Sequence, residues 1–179
     1  MESVDWPQIV AEHGPLVWRI ALRLLDHEAD AADCFQRTFV SALEVASNQK
    51  IRQWPALLRK LATSRALEQL RQRIQQRNRF AANSESTDIN STTDQKTGGP
   101  ETHAEANEFV ERLRAALGEL EPRHAEVFCL ACLDDCSYAE IAEQLGIEAN
   151  YVGVILSRAK AQLRKLLPSD NPTATLHAK

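Results

Sequence analysis

At 179 residues and a formal net charge of −4, the chain can bury one ordinary core or two small ones, and its average charge excludes a uniformly basic nucleic-acid binder. Only six glycines, no alternating β-branched runs and apolar residues recurring at three and four exclude a β-rich fold and predict an all-α one. No apolar run approaches the ~20 residues of a membrane span, and MESVDWPQ has no basic-then-apolar leader, so a cytoplasmic protein without membrane insertion is expected, with Cys34, Cys129, Cys132 and Cys136 kept as thiols.

The average hides a segregation of charge. Residues 1–49 sum to −5, and residues 50–79 carry nine basic side chains against Glu68 alone, for +8. Residues 80–107 sum to −4, residues 108–147 to −6 and residues 148–179 to +3. Two basic islands in an acidic chain are places where a polyanion such as DNA can be held, although solvated helix faces have the same composition.

In chain order, Pro15 suits the first turn of a helix whose Leu16, Ile20 and Leu24 share one side. After the break at Asp26-His27-Glu28, a second helix is expected from about Ala29 to Ala46. Phe35, Phe39 and Leu43 form its core stripe, and Asp30, Asp33, Gln36 and Arg37 form one polar patch on the other face. A solvated face with an Asp33–Arg37 ion pair is the plain reading of that patch. The next segment, WPALLRKLATSRALEQLRQRIQQRNR, buries Leu57, Leu58, Leu61, Leu67, Leu70 and Ile74 and leaves an exposed side that is almost wholly basic and amide-bearing. Arginine and lysine there neutralise phosphates, and an aromatic such as Trp54 at the helix start can stack on an unpaired base or serve the core.

From Phe80 to Asn107 the chain turns rich in Ser, Thr, Asn, Asp and Gly, the composition of a flexible linker. Two small helical domains are therefore predicted, over residues 1–79 and 108–168, with a linker over 80–107 and a disordered tail over 169–179. The second holds SYAEIAEQLGIEANYVGVILSRAKAQLR, a helix-turn-helix by residue type. Ser137 and Glu140 form a capping box, Gly146 suits a left-handed turn, and Ile141, Ala142, Leu145, Val152, Ile155 and Leu156 fall on facing sides. Cys129 and Cys132 lie among apolar helix positions and no second cysteine pair follows at finger spacing, so no metal is expected. Neither a cofactor nor a catalytic residue is predicted, because the chain has no glycine-rich phosphate loop, zinc-hydrolase helix or nucleophile elbow.

Taken together, the segments HGPLVWRIALRLLDHEADAADCFQRTFVSAL, LATSRALEQLRQR and LGELEPRHAEVFCLACLDDCSYAEIAEQLGI resemble regions 2 and 4 of the extracytoplasmic-function (group 4) sigma factors of bacterial RNA polymerase. The resemblance implies a non-enzymatic subunit that binds the polymerase core, at the clamp helices of its largest subunit and at its upstream flap, and that opens minus ten and minus thirty-five promoter DNA. It also allows an anti-sigma partner. It implies that Asp30, Asp33, Gln36 and Arg37 meet the clamp helices, and that Lys60, Ser64, Arg65, Gln69, Arg71 and Arg73, with Trp54, handle the non-template strand. The second helix of the helix-turn-helix is implied to enter the major groove.

The chain departs from the family pattern in three places. Arg37 stands where the family usually has Glu, the connection from Ser47 to Gln53 is short, and the reading helix begins EANYVGVI instead of offering small polar and basic groups. Base readout is then expected from Asn150 and Tyr151, with Arg158 and Lys160 on phosphates. Two rival functions remain at this point: a stand-alone helix-turn-helix regulator, and a helical protein-binding adaptor with a degenerate reading helix.

Overall fold

A computed structural model of the chain describes residues 4–83 and 102–167. Among these residues there are seven helices and no strand, so the all-α prediction holds. The first three are α1 (Trp6–Leu25), α2 (Glu28–Asn48) and α3 (Trp54–Asn83); the other four are α4 (Thr102–Glu119), α5 (Pro122–Cys132), α6 (Tyr138–Leu145) and α7 (Ala149–Leu166). Helix α3 thus runs past residue 79 and α4 starts before residue 108, while residues 84–101 and the tail lie outside the described residues. No described helix is long and apolar enough to cross a membrane.

The first domain is a three-helix unit with α1, α2 and α3 in mutual contact. Helix α1 starts nine residues earlier than Pro15 suggests. Asp5 accepts from Gln8 N at 3.1 Å and Pro7 occupies the first turn, which leaves Pro15 inside the helix. A side-chain cap satisfies amides that proline at position 15 would leave unserved, so the cap decides the boundary. The other end closes at Asp26, in the left-handed region at φ 50°, whose N–H donates to the Leu22 carbonyl at 2.9 Å.

Helix α2 packs on a stripe of small residues, Ala31, Cys34, Thr38, Ser41 and Ala42. The predicted aromatic stripe is corrected here. Phe35 and Phe39 are half-buried, with ring centroids 4.9 Å apart, and Leu43 is exposed. Small side chains let α2 lie close against α1 and α3, and large rings fit only at the margin. Thr38 returns its hydroxyl to the Cys34 carbonyl at 2.7 Å, which lets a polar group sit in that dry seam.

The second domain is built as its sequence indicates. Ser137 N and Oγ each donate to Glu140 Oε2 at 2.7 Å, and Glu140 N donates back to Ser137 Oγ at 3.3 Å. Gly146 is left-handed at φ 64° and ends α6. Ile141, Ala142, Leu145, Val152, Ile155 and Leu156 are buried between α6 and α7. Cys129 is buried as expected, but Cys132, the last residue of α5, is exposed. Burial pushes the Cys34 thiol up to about 11 and raises Cys129 further, so both stay protonated at neutral pH. Among the described residues no group of three His, Cys, Asp or Glu side chains is placed to hold a metal ion.

Two outcomes test this part of the fold. Gly146→Val forces a β-branched residue into the left-handed region and is expected to cost about 1–2 kcal/mol in chemical denaturation. The Ser137 hydrogen bonds hold the Glu140 carboxyl below the usual range. A depressed carboxylate stabilises the fold above its unfolded pKa, and that contribution is lost as pH falls through the lowered folded value. Ser137→Ala is therefore expected to raise the Glu140 midpoint in an NMR titration.

Candidate nucleic-acid interface

Polar residues of α2 and α3 meet in three separate sets of contacts. Arg73 pairs with Asp30 and also donates from Nη1 to the Leu25 carbonyl at 3.1 Å. Asp33 accepts from Gln69 Nε2 at 2.5 Å and pairs with Arg37 Nε at 2.9 Å. Arg65 donates to Ser41 Oγ at 2.9 and 3.3 Å and to Glu68 at 2.9 Å. Burial lowers the Arg73 guanidinium below the ordinary arginine value, with Glu111 opposing the shift and Arg77 adding to it. Gln36 is exposed on the outer side of α2.

The remaining predicted residues of α3 are less open than their composition suggests. Lys60, Ser64, Arg65, Gln69 and Arg71 are all half-buried, whereas Gln72, Arg73, Gln75, Gln76, Arg77, Asn78 and Arg79 are exposed, so the basic and amide-bearing side is open over the second half of α3. Arg71 Nε and Nη2 are shielded from solvent with no hydrogen-bond partner, so this guanidinium is held in place without being satisfied. Trp54 is half-buried and meets Trp6 edge to face, ring centroids 5.4 Å apart.

Arg65 and Gln69 are covered from α2, and a second contact that the sequence did not signal lies beside that cover: α4, α5 and α6 pack directly on α3. Gly118 in α4 lets the Ile74 side chain in so closely that a Cβ there would overlap it. Arg59 donates from Nη1 to Cys136 Sγ at 3.3 Å. Arg23 of α1 donates to the Leu133 carbonyl at 2.6 Å and to Asp134 Oδ1 at 2.5 Å, and the Asp134 side chain is only 3% exposed. Arg114 of α4 donates from Nε to the Arg23 carbonyl at 3.1 Å and pairs with Asp26 at 3.2 Å. None of these residues was in the predicted set. Arg23 and Asp134 are 111 positions apart, and spacing rules act only within a few turns of one helix.

Helix α7 keeps one side clear of this packing. Asn150, Tyr151, Val154, Ser157 and Arg158 are exposed, and Lys160 is half-buried. Val152, Ile155, Leu156 and Ala159 face inward. The predicted readout pair and the predicted phosphate pair therefore share one helix, on and beside one solvent-facing side.

With this geometry described, the chain can be set beside known proteins. Residues 9–76 match the sigma-70 region 2 family and residues 110–163 match sigma-70, region 4. The chain is 29% identical over 163 residues to the ECF RNA polymerase sigma factor SigE of Mycolicibacterium smegmatis, a match that takes in 91% of this chain and 62% of the length of that relative. The sigma factor RpoE of Bartonella quintana, solved in complex with the anti-sigma factor NepR, superposes at a TM-score of 0.52 with 20% identity, over 93% of this chain and 99% of that one. CnrH, solved with the cytosolic domain of CnrY, superposes at 0.55 with 23% identity, over 92% of this chain and 88% of that one. With region 2 followed by region 4 over most of its length, the chain belongs to the sigma-70 family.

The contact across the two domains can be tested through Arg23. Arg23→Ala removes the cation that faces the buried Asp134 carboxylate, and a destabilisation of about 2 kcal/mol is expected. Asp134→Asn in the same background should recover part of it. If the two changes are strictly additive, the pair is not coupled.

Proposed function

We propose that this chain is a promoter-specificity subunit of bacterial RNA polymerase, working in the cytoplasm and leaving all bond chemistry to the polymerase. The observation that carries this reading is the presence of two distinct units that match region 2 and region 4 in family order. One is the cationic α3 joined to an acidic α2, and the other is a capped helix-turn-helix with its second helix open to solvent.

On this reading Asp30, Asp33, Gln36 and Arg37 form the docking surface for the clamp helices of the polymerase's largest subunit, and the second domain meets the upstream flap. Asp30 and Asp33 are occupied by Arg73 and Gln69 in the free chain. Cationic groups of the polymerase compete for the same two carboxylates. Docking then releases Arg73 and Gln69 toward the non-template strand, beside Lys60, Ser64, Arg65 and Arg71, with Trp54 at the end of the same helix. Asn150 and Tyr151 read base edges in the minus thirty-five element, and Arg158 and Lys160 hold its backbone. RpoE is bound to the anti-sigma factor NepR and CnrH to the cytosolic domain of CnrY, and an anti-sigma partner is part of the proposal.

Gel filtration of the chain with purified core polymerase tests the reading, and a co-eluting complex is expected. Asp30→Lys with Asp33→Lys should abolish co-elution. Arg71→Glu with Arg73→Glu should keep the complex but prevent promoter opening. Absence of any complex with the unaltered chain overturns the proposal, and unchanged opening with the double arginine variant overturns the role given to α3.

A further inference from the structure

The two domains are pressed together along α3. Helix α6 packs on α3, and α4 packs on both α3 and α7. Helix α7 follows α6 after Gly146-Ile147-Glu148 alone, so its exposed end at Asn150 and Tyr151 stays close to α3. With 18 residues, α7 is itself only about 27 Å long. Promoter elements named minus ten and minus thirty-five are about 25 base pairs apart, which at about 3.4 Å per pair is about 85 Å of duplex. An arrangement that keeps α6 against α3 therefore cannot place α3 at one element and α7 at the other.

The polar contacts that hold this seam converge on one short loop. Arg23 of α1 donates to the Leu133 carbonyl and to Asp134, and Arg59 of α3 donates to Cys136 Sγ. All three acceptors lie in residues 133–136, between α5 and the Ser137 cap of α6. The loop that leads into the helix-turn-helix is thus gripped by the first domain. The seam also carries groups that oppose it. Arg23 Nε, Arg59 Nε and Asp134 Oδ2 are shielded from solvent with no hydrogen-bond partner, and parting the domains would return them to water. The Arg23–Asp134 pair and the close approach of Ile74 to Gly118 favour closure. Closure is a balance of opposing terms, and the loss of one cation can tip it.

We infer that the packing of α4, α5 and α6 on α3 is an autoinhibitory clasp, held by Arg23 and Arg59 on the 133–136 loop, which has to open before the chain can span a promoter. The inference rests on the promoter-binding reading and adds to it a control that lies within this one chain and needs no second protein. The closed form holds α7 too near α3 to reach a second element, so affinity for a two-element promoter falls with the fraction of molecules that are closed. Arg23 and Asp134 touch no DNA in this account. Their effect on promoter binding passes wholly through the clasp.

The test locks the clasp in one variant and loosens it in another. A Cβ on Gly118 would lie 3.6 Å from Leu70 Cβ, within the roughly 3.5–4.5 Å that a disulfide spans. Leu70→Cys with Gly118→Cys is made in a Cys132→Ser background, with Ile74→Val to withdraw the methyl that a Cβ at 118 would overlap. Oxidised glutathione closes the bridge and dithiothreitol frees it. The oxidised chain, mixed with core polymerase, is expected to open a two-element promoter at least about tenfold less than the same chain reduced. Arg23→Ala is expected to enlarge the free chain in small-angle X-ray scattering and to reach half-maximal opening at about fivefold lower chain concentration. Equal opening by the oxidised and reduced chains overturns the inference, and so does an unaltered free chain that already scatters as two separated domains. If the unaltered chain forms no holoenzyme, the functional reading fails instead, and scattering alone decides the clasp. A folded Arg23→Ala or Asp134→Asn chain larger than the unaltered one supports it, and unchanged size in both variants overturns it.

Discussion

One helix has to satisfy two cores at once. The apolar side of α3 closes the first domain through Leu58, Ala62, Ala66 and Leu67, while Leu70 and Ile74 meet Gly118 of the second. Everything polar on α3 must then fit into what these contacts leave. Arg59, Arg65, Gln69 and Arg73 reach, in turn, Cys136, Ser41, Asp33 and the Asp30–Leu25 pair of acceptors. A cation that is half-buried has to find a partner or carry the cost of desolvation. The partners available to α3 are the acidic residues of α2 and the ends of α1 and α5. The −5 and +8 segments of the sequence meet directly in the Arg73–Asp30 pair.

That constraint shapes the proposed function. A site whose acidic and basic halves neutralise each other is quiet until a stronger partner takes one half. Each of the exposed pairs contributes little to stability by itself, so exchanging an internal cation for an external one is close to balanced. The buried Arg23–Asp134 contact is of another kind. Its carboxylate is shielded from water, and it bridges the domains.

What could be read from the sequence follows the range of the physics involved. The helix-turn-helix was legible residue by residue, because capping by Ser137 and Glu140, the left-handed Gly146 and the facing apolar positions are all decided within a few residues. The helical class and the order of the two domains were equally visible. Start points were less so. Asp5 and Pro7 outweighed Pro15, since a side-chain acceptor and a proline in the first turn serve the open amides better than a proline nine residues on. The α2 stripe was misread for a packing reason: periodicity marks which positions face inward but not how close the neighbours come, and here only small residues fit. The basic side of α3 is open over its second half as expected, but the packing of α4, α5 and α6 on the same helix was not legible, because it joins residues far apart in the chain.

The central claim is that this chain directs polymerase to promoters, and it is tested most directly by single-round transcription. Core polymerase is given a library of genomic fragments with and without the chain, and transcript starts are mapped. The account expects starts that depend on the chain and cluster behind a shared pair of upstream elements. Transcripts that are the same in both reactions would contradict it.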